Sequence, residues 1–140
     1  MKKRLFAIIM ISVMIFYMIP ATVYAAQGEI VMPMWDNASQ ITAKISFLDG
    51  DGYAEVAILG KSGVTNISVD VKLFYKKPSG AWEEIATNWD YNVNQRMLSI
   101  NESFNAVAGR EYKIEVSGTV TMNGYAESIS KTATAVCPTS

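Results

Sequence analysis

From Ile30 onward apolar residues recur at every second position, a spacing that confines the chain to half-buried strands. Successive side chains on a strand point to opposite faces. Ile67, Val69, Val71, Leu73 and Tyr75 therefore line one face, while Ser68, Asp70, Lys72 and Lys76 line the other. This is the cleanest stripe in the chain and predicts a central core strand. Ile41, Ala43, Ile45 and Phe47 repeat the pattern against Thr42, Lys44 and Ser46, and no segment reads as an amphipathic helix of useful length.

Turn residues punctuate these stripes. Asp49-Gly50-Asp51-Gly52 supplies two glycines that tolerate positive φ, so Tyr53 to Leu59 is expected to return as the second arm of a hairpin. Gly60-Lys61-Ser62-Gly63 and Lys77-Pro78-Ser79-Gly80 are further turns, the second reinforced by a proline that cannot donate to a ladder. Trp82 to Trp89 then reads as one strand, and Leu98, Ile100 and Phe104 share one parity in the next. Gly109, three residues before Tyr112, has the spacing of a tyrosine corner, in which the phenol bonds back to the preceding loop. Asn123-Gly124 is the strongest hairpin signal of all, because a type I′ turn needs positive φ at both central positions. The fold class that follows is all-β, a two-sheet antiparallel sandwich of immunoglobulin-like form with about seven strands. Ile30-Val31-Met32-Pro33-Met34-Trp35 adds an N-terminal edge segment, since an edge tolerates Pro33.

The N-terminus has a different logic. Met1-Lys2-Lys3-Arg4 is cationic, Leu5 to Ile19 is an uninterrupted apolar run, and Pro20 precedes the small residues around Val23-Tyr24-Ala25. That layout predicts a signal peptide over residues 1–25, cleaved before Ala26, with residues 26–140 as a single secreted domain. The run is shorter than the roughly 20 residues a spanning helix needs, so no stable membrane anchor is expected after cleavage. Cleavage removes three of the 12 basic residues and leaves nine against 13 acidic ones, a net charge of −4. A surface of that sign argues against nucleic acid as a partner.

Several kinds of chemistry are excluded. The chain has no histidine, which rules out Ser-His-Asp and Cys-His mechanisms and makes a typical zinc site untenable. An EF-hand starting at Asp49 would need an oxygen ligand where Tyr53 stands and glycine where Ala54 stands. Glu83 and Glu84 are neighbours on a strand, point to opposite faces, and cannot flank one glycosidic bond. No cofactor, metal or enzymatic activity is therefore expected. Cys137, the only cysteine, stands close to the C-terminus with no internal partner, and it is expected as a solvent-exposed or frayed terminal thiol, with a disulfide dimer through a second copy as the alternative.

The combination of Met32-Pro33-Met34-Trp35, Gly80-Ala81-Trp82-Glu83-Glu84-Ile85 with Trp89 following, and Gly109-Arg110-Glu111-Tyr112 resembles uncharacterised small secreted proteins of low-GC Gram-positive bacteria. The resemblance implies an exported bacterial domain and carries over no catalytic or binding residues.

Aromatic side chains are the remaining clue. Rings on a rigid sheet hold sugars or peptides by stacking and edge contacts. Trp82, Trp89 and Tyr91 are the candidate ligand-binding residues, because ring density is highest there. Trp82 and Ile85 differ in parity while Ile85 and Trp89 agree, so Trp82 is the ring expected on the exposed side. The function read from this is a non-enzymatic extracellular domain that binds a surface glycan, another surface polymer or a protein. The alternative is a structural matrix component or a bacteriocin-like secreted effector.

Overall fold

A computed structural model describes residues 34–139. The signal-peptide reading of residues 1–25 and most of the expected N-terminal edge segment lie outside them. Met34 and Trp35, its last two residues, are not in a strand, and regular pairing starts at Ala38.

Eight strands are found among the described residues: β1 (Ala38–Leu48), β2 (Asp51–Gly60), β3 (Val64–Lys76), β4 (Trp82–Ile85), β5 (Asp90–Val93), β6 (Met97–Asn105), β7 (Glu111–Met122) and β8 (Tyr125–Val136). They form two antiparallel sheets packed as a sandwich. One has the order β1-β2-β6. The other runs β4-β3-β7-β8, with β5 also pairing with β3. This is the immunoglobulin-like arrangement, with β3 and β7 at the centre of the larger sheet. No helix among the described residues is long and apolar enough to cross a membrane.

The core follows from the alternation. Ile41 and Ile45 of β1, Ala54, Val56 and Ile58 of β2, and Leu98 and Ile100 of β6 face Ile67, Val69, Val71 and Leu73 of β3 and Ile114, Val116 and Val120 of β7. Burying each Val, Leu or Ile side chain contributes about 1.5–3 kcal/mol. The β1–β2 turn is a two-residue loop with Asp49 at φ 52° and Gly50 at φ 89°, and the β7–β8 turn has Asn123 at φ 52° and Gly124 at φ 78°. Both have the two positive φ values of a type I′ turn, as expected at Asn123-Gly124, and the hairpin expected at Asp49-Gly50-Asp51-Gly52 uses only the first of its two glycines at positive φ. The tyrosine corner is also present. Tyr112, at the start of β7, accepts a hydrogen bond from the Val107 N–H at 2.8 Å, and its ring packs against Phe104 and Phe47.

Two expectations need correction. The segment read as one strand from Trp82 to Trp89 is two, because Leu73 pairs with Ile85 and Asp70 with Asp90. Four residues, Ala86 to Trp89, thus stand opposite only Val71 and Lys72. The extra pair bulges out, and Val71 is satisfied there by the Thr87 hydroxyl at 3.3 Å and the Trp89 carbonyl at 3.0 Å. The second correction concerns Cys137. It is buried within the core, and its backbone pairs with Arg110 and Gly109 at 2.9 and 2.8 Å. A disulfide dimer would require that end of the sandwich to unpack, so the premise of an exposed terminal thiol fails.

The entry into β1 is held by a carboxylate. Glu127 of β8 accepts from the N–H groups of Asp36, Asn37 and Ala38 at 2.6, 2.7 and 3.4 Å. The buried Asn37 amide bonds the carbonyls of Val120 and Tyr125. Burial by itself would raise the Glu127 carboxyl, but the three backbone donors and the Lys61 charge outweigh it and hold the group below its ordinary value. A folded-state value below the unfolded one contributes stability above the ordinary carboxylate range, and that stability is lost as pH falls through the lowered value. Glu127→Gln should therefore cost about 1.5–3 kcal/mol in urea unfolding at pH 7. The difference from wild type should begin to shrink below about pH 4.5, where the unfolded carboxyl starts to protonate, and should vanish only once pH has fallen through the lowered folded-state value. A pH-independent difference would show that the charge is not what matters.

Candidate functional site

The outer face of the larger sheet carries the chain's unabsorbed polar and aromatic chemistry, and the strand register fixes it as a grid. On β3 the outward positions are Ser68, Asp70, Lys72, Phe74 and Lys76. Trp82 of β4 stands beside Lys76, and Glu84 beside Phe74. Asp90 and Asn92 of β5 stand beside Asp70 and Ser68. On the other flank Lys113, Glu115, Ser117 and Thr119 of β7 stand beside Phe74, Lys72, Asp70 and Ser68.

At one end the grid is aromatic and cationic. The Lys113 ammonium lies 4.6 Å from the Phe74 ring centroid and 4.9 Å from that of Trp82, and Lys76 lies 5.6 Å from the Trp82 ring. These contacts brace a half-buried indole against the sheet, each worth roughly 0.5–1 kcal/mol at an exposed site. Each lysine is also paired with a carboxylate: Lys76 with Glu111 at 2.8 Å, Lys113 with Glu115 at 2.5 Å and Lys72 with Glu84 at 3.6 Å. At the other end is a shallow depression of about 340 Å³ lined by Ser68, Asp70, Asp90, Asn92, Ser117 and Thr119 over the backbone of Gly118. Asp70 and Asp90 face each other directly across it. Burial, then the neighbouring Asp90 charge, holds the Asp70 carboxyl above its ordinary value.

With that geometry in view, comparison with known proteins adds little. No family model and no curated protein matches the chain. Among solved structures the chain is similar to the solution structure of R. palustris CsgH, at 10% sequence identity and a TM-score of 0.42, covering 65% of this chain and 88% of that one. No residue or role is carried across from it.

The three sequence-derived site residues do not share a surface. Trp82 is on the outer face, as its parity predicts, and it has no place in the core. Trp89 and Tyr91 face inward and pack against the core. The bulge between β4 and β5 inserts two residues, an even number, so it preserves the parity on which the expectation rested. Tyr91 donates a hydrogen bond to Glu102 of β6, joining the two sheets near their edge. Burial, together with that carboxylate, pushes the phenol up to about 12. Its role is to tie the sheets together, leaving Trp82 as the one of the three available to a ligand.

Phe74, Asp70, Asp90 and Lys113 complete the surface and were not singled out from the sequence. The outward parity of Asp70 was visible in the β3 stripe, but nothing in the chain announces that Asp90 falls opposite it. Among the described residues no group of three carboxylate or thiol side chains converges as a metal site would require.

Proposed function

We propose that this chain is a secreted, non-enzymatic binding domain that engages a surface polymer or a protein through the outer face of its larger sheet. The observation carrying the reading is the position of Trp82: an indole held by two lysines on a rigid sheet, outside the core. Large amphipathic rings fixed in this way supply contact area at little entropic cost, which is why Trp is enriched where proteins bind. The absence of histidine supports a binding role over acid–base chemistry. The tripartite N-terminus supports export, and the resemblance to small secreted bacterial proteins agrees with both.

The test uses protein collected from the medium of a host that exports it, mixed with intact cells and purified wall sacculi of a low-GC Gram-positive bacterium and sedimented. Wild type should co-sediment. Trp82→Ala should reduce adsorption at least about tenfold while changing unfolding stability by no more than about 1 kcal/mol. Adsorption equal to wild type, or an unfolded variant, would remove Trp82 as the contact and the reading with it.

A further inference from the structure

The outer face narrows the chemistry of its ligand, if Trp82 is the contact residue just described. Its cations are all spoken for. Lys72, Lys76 and Lys113 each sit in an ion pair on the same face, so the surface has no surplus positive charge with which to attract a phosphate- or uronate-rich chain. The excess is instead the Asp70–Asp90 pair, which would repel a polyanion.

That pair is unusual in itself. Like charges directly opposite on neighbouring strands destabilise a sheet. Here they lie in a depression whose other outward positions carry hydroxyls and an amide, with Val69, Tyr91 and Gly118 completing the lining. What two facing carboxylates lack is donors, and sugar hydroxyls are donors. Asn92 complements them. Its carbonyl oxygen is occupied by the Asn66 amide at 2.7 Å, which leaves its own N–H groups to donate outward.

Trp82 and the depression belong to one track. Lys76, beside Trp82, and Asp70, beside Asp90, are six residues apart on the same face of β3, about 20 Å along the strand. That is the span of a short oligosaccharide and too long for a single sugar. We infer that this face binds an uncharged polysaccharide laid along β3, with one sugar ring against Trp82 and the hydroxyls of another held by Asp70, Asp90 and Asn92.

The test is isothermal titration with uncharged oligosaccharides of glucose, xylose and N-acetylglucosamine, from disaccharide to hexasaccharide, with and without a chelator. At least one series should bind, with hexasaccharide at least tenfold tighter than disaccharide and no effect of the chelator. Trp82→Ala should weaken binding at least tenfold. Asp90→Asn should weaken it several-fold while raising the unfolding midpoint, since it relieves the like-charge contact. If no uncharged oligosaccharide binds yet wild type still adsorbs to sacculi through Trp82, the polysaccharide inference is overturned and the docking function stands. Loss of both overturns both. A rise in midpoint on adding calcium chloride alone, absent in Asp90→Asn, would make the depression a cation site and overturn the inference. A lower midpoint in Asp90→Asn would show the pair to be structural and overturn the role given to it.

Discussion

Gly118→Ala should be the most damaging single methyl that can be added to this domain. Gly118 lies in β7 opposite Val69, at the junction of the two central strands of the larger sheet. A Cβ built there would stand 2.1 Å from the Ser68 carbonyl oxygen and 2.7 Å from the Val69 Cα. Those are backbone atoms of β3. They have no rotamer to change, so the only relief is to part β3 from β7. Overpacking a core costs typically 1–3 kcal/mol even when side chains can move, and here, although the Val69 Cγ1 also stands at 2.7 Å, the nearest obstacle is backbone. A loss of at least about 3 kcal/mol is expected in urea unfolding, a large share of the 5–15 kcal/mol that holds a typical domain. Gly52 offers a useful contrast. Its added Cβ would meet the Phe104 ring at 2.2 Å, a side chain and not backbone, so Gly52→Ala should cost less even though that ring is packed against Tyr112. Equal losses at the two sites would show that β3 and β7 can separate locally.

Tyr112→Ala is expected to rank next. The side chain is about 1% exposed, with ring centroids 5.0 Å from Phe104 and 5.9 Å from Phe47. Truncating a buried aromatic residue costs about 3–5 kcal/mol. Tyr112→Phe separates the ring from its hydroxyl: the packing survives, and the Val107 N–H loses its acceptor. That variant should lose about 1–2 kcal/mol, and hydrogen exchange at the Val107 amide should quicken while the β7 core amides stay protected. Unchanged exchange at Val107 would mean that water replaces the phenol and that the corner bond adds nothing.

How far these features could be read from the chain depends on how local their causes are. The β3 stripe, the Asp49-Gly50 and Asn123-Gly124 turns and the Tyr112 corner each rest on residues within a few positions of one another, and all are found. The division of β4 from β5 was not legible. No glycine or proline marks it, and the bulge is closed by the Thr87 hydroxyl reaching Val71, sixteen residues away. Cys137 was misread for the same reason. Proximity to the C-terminus suggested fraying, whereas its backbone bonds to Gly109 and Arg110 place it in the core. Of the surface, Trp82 was visible through parity because the inserted residues number two. The Asp70–Asp90 contact depends on register between strands twenty residues apart and had no local signature.

The divided flank also bears on self-association. A sheet edge presents a row of unused N–H and C=O groups on which another chain can grow as the next strand. Along β3 that edge is two stubs of four residues, β4 and β5, each about 13 Å long, with the bulge at Ala86 to Trp89 between them. A neighbour that paired with one stub would fall out of step at the bulge and could not continue along the other. Fibre growth from this side is therefore blocked by two surplus residues.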